Sequence, residues 1–591
     1  MTTVKLPHAT SVTRPSTGFF RISDADLPLL RIGILLDSPK LSAFFARIIE
    51  DIQASNFARI QLLVFRKKTA QAPQLEARSR IGAIKHRLLT PTLRKRAFYD
   101  AYLHFDQRMK PSNHPLDMVD CSSRLAGIES IEVEPIGKKF IHKFPPEALE
   151  KIRAKELDVI LRFGFNILSG EILTVARYGV WSYHHGDNDF YRGGPPHFWE
   201  LVEKSPLSGV ILQVLTEELD GGLVLCKSLF TTELTTSASV NRYTPYWGSI
   251  DMVIRKLREL HRYGWEYVKT KSIPTAPYQG KRKIYRTPTN SEMARWLGPV
   301  ILKKAVEYPF RKRTVQHWKI AVRTGHQPLL ESADADVSGF RWIEPPKDHF
   351  WADPFAIEHQ GKCWAFFEDY HYPKRRAGIA CAEISTDGTL IAPQPCLETE
   401  HHYSYPHVFR CGGDLFMVPE SVSSNSVDLY RCHEFPAKWV REEMLLEGRF
   451  VDTTIWQHEG LWWLMTTRAE PDSRAGCLFL FYSESLTGEW KFHPENPIST
   501  DIRNNRGAGS VFLSGGRLIR PSQSCSPIYG YSFSFNQITE LSKQHYSEQP
   551  LRTITPWNGL CAVHTYNRAG KVELIDGAVM IPLDKLLSTS R

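Results

Sequence analysis

Four segments in the C-terminal half share one shape, and that repetition constrains the fold more than any other feature. They read DPFAIEHQGKCWAFFED, YPHVFRCGGDLFMVPES, VDTTIWQHEGLWWLMTT and AGSVFLSGGRLIRPSQ. Each is an apolar strand, a glycine turn and a second apolar strand. The turn glycines Gly361, Gly413, Gly460 and Gly516 lie 52, 47 and 56 residues apart. Alternating strands with a period near 50 spell a β-propeller, one four-stranded blade per repeat. HTYNRAGKVELIDG, from His564 to Gly577, is a partial fifth repeat, so a five-bladed ring is expected. A β-sandwich with chance similarity between segments is the competing arrangement.

The N-terminal half has a different texture. LRIGILLD (30–37) is a short apolar run of strand type. Leu41, Phe44, Phe45, Ile48, Ile49 and Ile52 then recur at helical spacing, and IQLLVF (60–65) is a second strand. Strand, helix, strand at this distance is a βαβ unit with a parallel sheet. No G-x-G-x-x-G joins the first strand to its helix, which argues against a dinucleotide cofactor. The pattern resumes with a helix at 145–154, a strand at 159–163, the strand GVWSYHH, a helix around 197–203 and the strand GVILQVL. The expected organisation is an α/β Rossmann-like domain at 28–270, a basic connector at 271–335 and the propeller at 336–591.

Most of the formal charge of +10 sits in that connector: from Lys281 to Arg313 ten Lys/Arg face only two acids, Glu292 and Glu307. A solvated basic stretch or an anion-attracting surface both fit. Aromatics are not interleaved as nucleic-acid stacking requires, so no nucleic-acid partner is expected. No apolar run is long enough to span a bilayer, and the first twenty residues carry no apolar signal core. Ten cysteines without a C-x-x-C pair point to reduced thiols, no zinc site and a cytoplasmic setting.

The stretch WSYHHGDNDFYRGGPP (181–196) crowds two histidines and a polar run behind a buried strand, where α/β sheets place their chemistry. Alternation puts Ser182 and His184 on one face and His185 on the other. EELDGG places Asp220 just beyond the next strand, and two parallel neighbours would bring Asp220 and His184 to one rim. A carboxylate beside an imidazole suits acid–base work at neutral pH. Gly221 and Gly222 would allow close backbone approach to a ligand.

These motifs resemble those of the formyltetrahydrofolate-dependent formyltransferases, the methionyl-tRNA and sugar-nucleotide enzymes. That family has a strand ending in Asn-x-His, an Arg-Gly-x-x-Pro loop and a distal Leu-Asp-x-Gly. Here the matching residues are Ser182-Tyr183-His184, Arg192-Gly193-Gly194-Pro195-Pro196 and Leu219-Asp220-Gly221-Gly222. The likeness runs over roughly 30–230 and is strongest from 157 to 226. It implies N10-formyltetrahydrofolate as cofactor, His184 as the acid–base and oxyanion group, and Asp220 as its orienting partner. ILRFGFNILSGEIL is similar to the segment lining the folate pocket, which implies Phe163, Gly164, Phe165, Asn166, Ile167, Glu218 and Gly222 as cofactor contacts. Arg192 and His185 are implied on the substrate side. Ser182 stands where the family has Asn, and losing one such donor costs about 10²–10³ in rate. His185, Asn188 or Asn166 are candidates to replace it. The small C-terminal barrel of methionyl-tRNA formyltransferases has no counterpart, which disfavours tRNA as acceptor.

The repeats resemble five-bladed propellers of the glycosidase kind, and more closely a propeller module accompanying a plant glycosyltransferase that acts on inositol sphingolipids. WADPF (351–355) resembles the first-blade entry that carries an axial carboxylate. Asp353, Glu368, Glu420 and Asp452 are therefore expected to face a glycan, beside Trp351, Tyr405 and Trp456. The second entry, SYPHV, has no acid, so a full hydrolase set does not carry over. The expected function is formyl transfer to the amine of an amino sugar on a nucleotide or lipid carrier, with the propeller binding the glycan. A glycan-processing propeller and a carbohydrate-binding protein without catalysis are the alternatives.

Overall fold

The computed structural model describes residues 18–67, 95–137, 140–274, 276–307, 314–332, 336–469 and 476–587. They form two compact units that divide between Glu307 and Thr314.

The first unit is built on a seven-stranded sheet: β1 (Leu30–Leu36), β2 (Ala58–Arg66), β3 (Ser130–Val133), β4 (Val159–Arg162), β5 (Val180–His184), β6 (Leu207–Val214) and β7 (Leu223–Thr231). Its order is β7-β6-β5-β4-β1-β2-β3. The five strands from β5 to β3 are mutually parallel, while β6 runs antiparallel to both β5 and β7. This is the Rossmann-like architecture expected, with an antiparallel edge. Helix α1 (Ala43–Gln53) follows β1 and is capped by Ser42, whose Oγ accepts the Phe45 N–H. Its apolar stripe buries Phe44, Ile48, Ile49 and Ile52.

The stretch read as a connector is divided between the two units, which corrects its assignment. Helix α2 (Ala97–Asp106) packs against helix α3 (Asn290–Glu307), with Trp296 edge-on to Tyr102 and Phe198. Arg282, one of the cations thought to be solvated, stacks over Trp199 at 4.0 Å and pairs with Glu292 at 2.7 Å. So 276–307 belongs to the first unit because its aromatic residues and guanidinium fill a niche there. Lys312 and Arg313 lie outside the described residues.

The second unit is a five-bladed β-propeller. The inner strand pairs of four blades are His349–His359 with Lys362–His371, Ser404–Cys411 with Asp414–Glu420, Phe450–His458 with Leu461–Arg468, and Arg506–Gly507 plus Phe512–Ser514 with Arg517–Ser524. The predicted turn glycines join them. The fifth blade is assembled from both ends of the unit: Thr314–Thr324 pairs antiparallel with Val572–Pro582 along its whole length, flanked by Arg341–Ile343 and Tyr566–Ala569. The ring therefore begins at 314 and not at 336, because its last blade needs a strand from the N-terminal side. That pairing joins the two ends of the unit within one blade.

Among the described residues no helix is long and apolar enough to cross a membrane. All ten cysteines are free.

Candidate functional site

Strand β5 is buried along its whole length, and its alternation is as read: Ser182 and His184 share a face. His185 points the other way. Its ring stacks on Tyr246 at 3.7 Å and lies edge-on to Phe44. Burial, with His197 and His184 nearby, holds it well below the usual imidazole range. His185 is thus a partly buried histidine held neutral on the face away from His184.

The polar run after β5 is a clamp. Asp187 and Asp189 both grip Lys227 of β7, at 2.8 and 2.6 Å. Asn188 is buried with its Oδ1 unpartnered. Arg192 latches two loops: Nε donates to the Asn188 carbonyl, Nη1 reaches Glu218 at 3.0 Å, and the guanidinium lies over Tyr278.

Asp220 meets His184, by a different route from the one expected. β6 is antiparallel to β5, so the loop 215–222 starts beside the beginning of β5, where the Leu215 N–H donates to the Val180 carbonyl. The loop then turns back, with Asp220 in the left-handed region at φ 56°. Its Oδ1 lies 3.4 Å from His184 Nδ1, and its Oδ2 accepts the Gly193 N–H at 3.0 Å. His184 Nε2 is 2.7 Å from the Tyr191 carbonyl, which only accepts, so the ring N–H is fixed there. Nδ1 is left to exchange a proton with the carboxylate.

Ser182 does not occupy the role inferred for it. Its hydroxyl donates to the Tyr183 carbonyl at 3.1 Å, and its oxygen accepts from Arg162 Nε at 2.9 Å. Its single donor is therefore spent on the protein. Arg162, the last residue of β4, also donates from Nη1 to the Asn166 carbonyl at 3.1 Å. Burial lowers the Arg162 pKa from its ordinary value, an effect opposed by Asp220 and Asp37. Directly opposite Ser182 in the ladder is Gln213, 1 % exposed, whose Oε1 has no partner. Neither residue was singled out from the sequence. A cation ending the buried strand VILR, and an amide inside the apolar run VILQVL, were the available signals.

The segment expected to line a folate pocket divides in two. Phe165 sits in the core against Phe144, and Phe163 stacks on Phe45 at 4.3 Å. A Cβ on Gly164 would lie 2.5 Å from the Asp37 N, and one on Gly222 2.0 Å from the Val214 carbonyl, so these glycines serve chain packing. Gly164→Ala should accordingly cost about 1–3 kcal/mol of stability, read from denaturant unfolding; unchanged stability would return the glycine to a ligand role. The Asn166 side-chain amide faces His142 Nε2 at 3.2 Å. Ile167 is half-exposed, paired with the open Ile141 beside Phe140. Glu217 ties this loop to 215–222 through Ser169 Oγ and the Gly170 N–H. The result is two joined loops with exposed Ile141, Ile167 and Phe140 at their rim, beside the Arg162 guanidinium and the unpartnered Gln213 Oε1.

A small cleft behind 191–196 is lined by His185, His197, Trp199, Glu200 and Tyr285. Burial pushes Glu200 up to about 8 and His197 down to about 3. A carboxyl with a raised folded pKa keeps its proton in the folded state, so stability falls as pH climbs from about 4.5 to about 8. Glu200→Gln should abolish that decline and gain on the order of a few kcal/mol at pH 9 but little at pH 4. Urea unfolding at both pH values checks this, and equal shifts at the two would contradict it.

In the propeller the expected glycan-facing carboxylates lie largely inside the protein. Asp353, Tyr405 and Asp452 take the same place in three blades, each in the left-handed region where the inner ladder breaks register. Asp353 accepts from the Tyr405 N–H and from Thr565 Oγ1, with His564 3.6 Å away. Asp452 binds Arg506 at 2.5 Å and Gln523 at 3.0 Å. Glu420 accepts the Asp452 N–H, and Glu368 faces His402 at 3.4 Å. Burial and mutual repulsion hold Glu368 and Glu420 well above the carboxylate range, and Asp353 at about 6. Trp351, Tyr405 and Trp456 are buried, so they are no open aromatic platform. Asp353, Glu420 and Asp452 thus tie neighbouring blades together.

Comparison with known proteins gives likenesses to both halves of the chain. Residues 279–564, just under half the chain, match the model of a family described as glucosamine inositolphosphorylceramide transferase 1, N-terminal. The rice glucosamine inositolphosphorylceramide transferase 1 (Oryza sativa subsp. japonica) is 29% identical over 281 residues, covering 45% of this chain and 36% of its own length. The chain thus spans about a third of that relative. The methionyl-tRNA formyltransferase of Pelotomaculum thermopropionicum is 26% identical over 152 residues, 25% of this chain and 45% of that one. Among solved structures, glycinamide ribonucleotide transformylase 1 from Symbiobacterium toebii aligns over 44% of this chain and 95% of its own, at 12% identity and a TM-score of 0.25.

Proposed function

We propose that the first unit is a formyltransferase whose acceptor is the amine of an amino sugar carried on a lipid or nucleotide, and that the propeller recognises the glycan part of that acceptor. The observation that carries the reading is the meeting at 3.4 Å of His184, at the end of β5, and Asp220, in a loop 36 residues further on, on the face that also holds the Arg162 guanidinium. Similarity to a methionyl-tRNA formyltransferase supports the chemistry. The relatives that match the other half name an amino sugar, glucosamine, and an inositol phospholipid, which supports the acceptor class.

N10-formyltetrahydrofolate would supply an activated formyl group, whose carbon exchanges its bond to N10 for one to the amine while N10 gains the proton the amine loses. The loops 163–170 and 215–222 would hold that cofactor, with Gln213 Oε1 accepting one of its donors. Asp220 withdraws the amine proton and His184 shares it, oriented by the Tyr191 carbonyl. Ten free thiols agree with a reducing, cytoplasmic setting, which is part of the proposal.

The test is to incubate the full chain with N10-formyltetrahydrofolate and a panel of glucosamine-bearing acceptors, reading acceptor mass. A formamide product that disappears in His184→Ala supports the reading. No product, together with no calorimetric binding of a folate analogue, rejects it.

A further inference from the structure

Resting on that reading, we propose that Arg162 takes the place of the family's missing asparagine: its guanidinium is the charged donor to the oxygen of the transferred acyl group. The structure leaves the usual donors occupied. Ser182 gives its one hydroxyl proton to the Tyr183 carbonyl, and His184 gives its Nε2–H to the Tyr191 carbonyl. Among the described residues, Arg162 keeps an unused donor on this face. Its Nε is held by Ser182 Oγ and its Nη1 by the Asn166 carbonyl, while Nη2 has no acceptor among the described residues. Two hydrogen bonds fix the plane of the fork, so the free N–H groups are preorganised and lose little entropy on binding.

The same contacts explain the serine. An asparagine at 182 would put its amide where the guanidinium now lies, whereas the shorter serine leaves that space and supplies the oxygen that anchors Nε. The exchange is a coupled one: a neutral amide donor on β5 for a cationic donor on β4. Asp220 lies close enough to interact electrostatically with Arg162, so the cation is balanced without a direct ion pair that would consume its donors.

Two readouts test this on the full chain. The first is calorimetric binding of 10-formyl-5,8-dideazafolate against 5,8-dideazafolate, which lacks the formyl oxygen. The wild-type protein should prefer the formylated compound, and Arg162→Ala should bind both equally. The second is turnover, expected to fall about 10²–10³-fold in Arg162→Ala, the cost of losing one such donor. The double variant Arg162→Ala/Ser182→Asn restores the neutral arrangement and should regain at least about tenfold of that loss. If Arg162→Ala fails to fold, Arg162→Lys carries the test, since a lysine cannot span both anchors. Retained preference and turnover within about twofold would overturn the inference while leaving the formyltransferase reading intact. A double variant no better than the single one would make Arg162 a positioning group and also overturn it. Wild-type protein that binds neither compound overturns both.

Discussion

On the proposed function, Asp220→Asn is expected to lower formyl transfer about 10²–10⁴-fold while leaving the fold nearly unchanged. Asparagine is close in shape to aspartate, and its carbonyl oxygen can still accept the Gly193 N–H that Oδ2 accepts now. Its amide would then donate to His184 Nδ1, replacing a 3.4 Å contact by a fixed hydrogen bond. The imidazole stays in place, with Nε2–H on the Tyr191 carbonyl, but Nδ1 no longer has a base with which to exchange a proton. The defect should therefore appear in kcat with little change in folate binding. Steady-state kinetics with calorimetry decides this. A variant retaining more than a tenth of wild-type turnover would place the essential base elsewhere.

The second large effect is on stability and concerns the closing blade. Arg323, on the strand that enters the ring, is 2 % exposed and directly opposite Glu573 on the strand that ends it. Nε and Nη2 of Arg323 reach Glu573 Oε2 at 2.8 and 2.6 Å, and Oε1 accepts from the Leu329 N–H and the Tyr566 hydroxyl, both at 2.7 Å. Glu573→Ala would leave a buried guanidinium without its counter-ion and two further donors without an acceptor. The expected loss is about 3–5 kcal/mol, the range for breaking a buried pair by removing one partner. Glu573→Gln should cost less, because its carbonyl oxygen still accepts one of the displaced donors. Denaturant unfolding followed by tryptophan fluorescence measures both. A loss below about 1 kcal/mol would mean that the strand ladder alone, without this pair, closes the ring.

Much of this architecture was legible from the sequence. The helical stripe of α1, the strand order in time along the first unit and the propeller repeat all depend on short-range periodicity, which the chain writes plainly. Apolar residues must alternate on a half-buried strand and recur every three or four positions on a packed helix. The His184–Asp220 pair was legible through the family resemblance, although the parallel strand pair expected to bring them together is antiparallel.

The misreadings have one physical source: the sequence lists residue types but not the partners that use them up. Ser182 looked like an oxyanion donor, and in the fold its hydroxyl is spent on Tyr183 and Arg162. The axial carboxylates looked like glycan ligands, and Asp353 and Asp452 bind neighbouring blades. The connector looked solvated because cations usually are, yet Arg282 lies flat on Trp199. The direction of β6 was mistaken because strand periodicity is the same whichever way the strand runs.

The sequence by itself thus determined which elements exist, that the chain holds an α/β sheet and a repeated β ring, and which titratable residues crowd the end of β5. Only the tertiary structure decided that β6 runs antiparallel, that the ring closes with a strand from 314–324, and that Arg162, anchored by Ser182 and Asn166, keeps a free donor at Nη2 among the described residues. Local periodicity is a property of neighbouring residues, whereas a free donor is defined by every group around it, and those groups come from β4, β5, β6 and two separate loops.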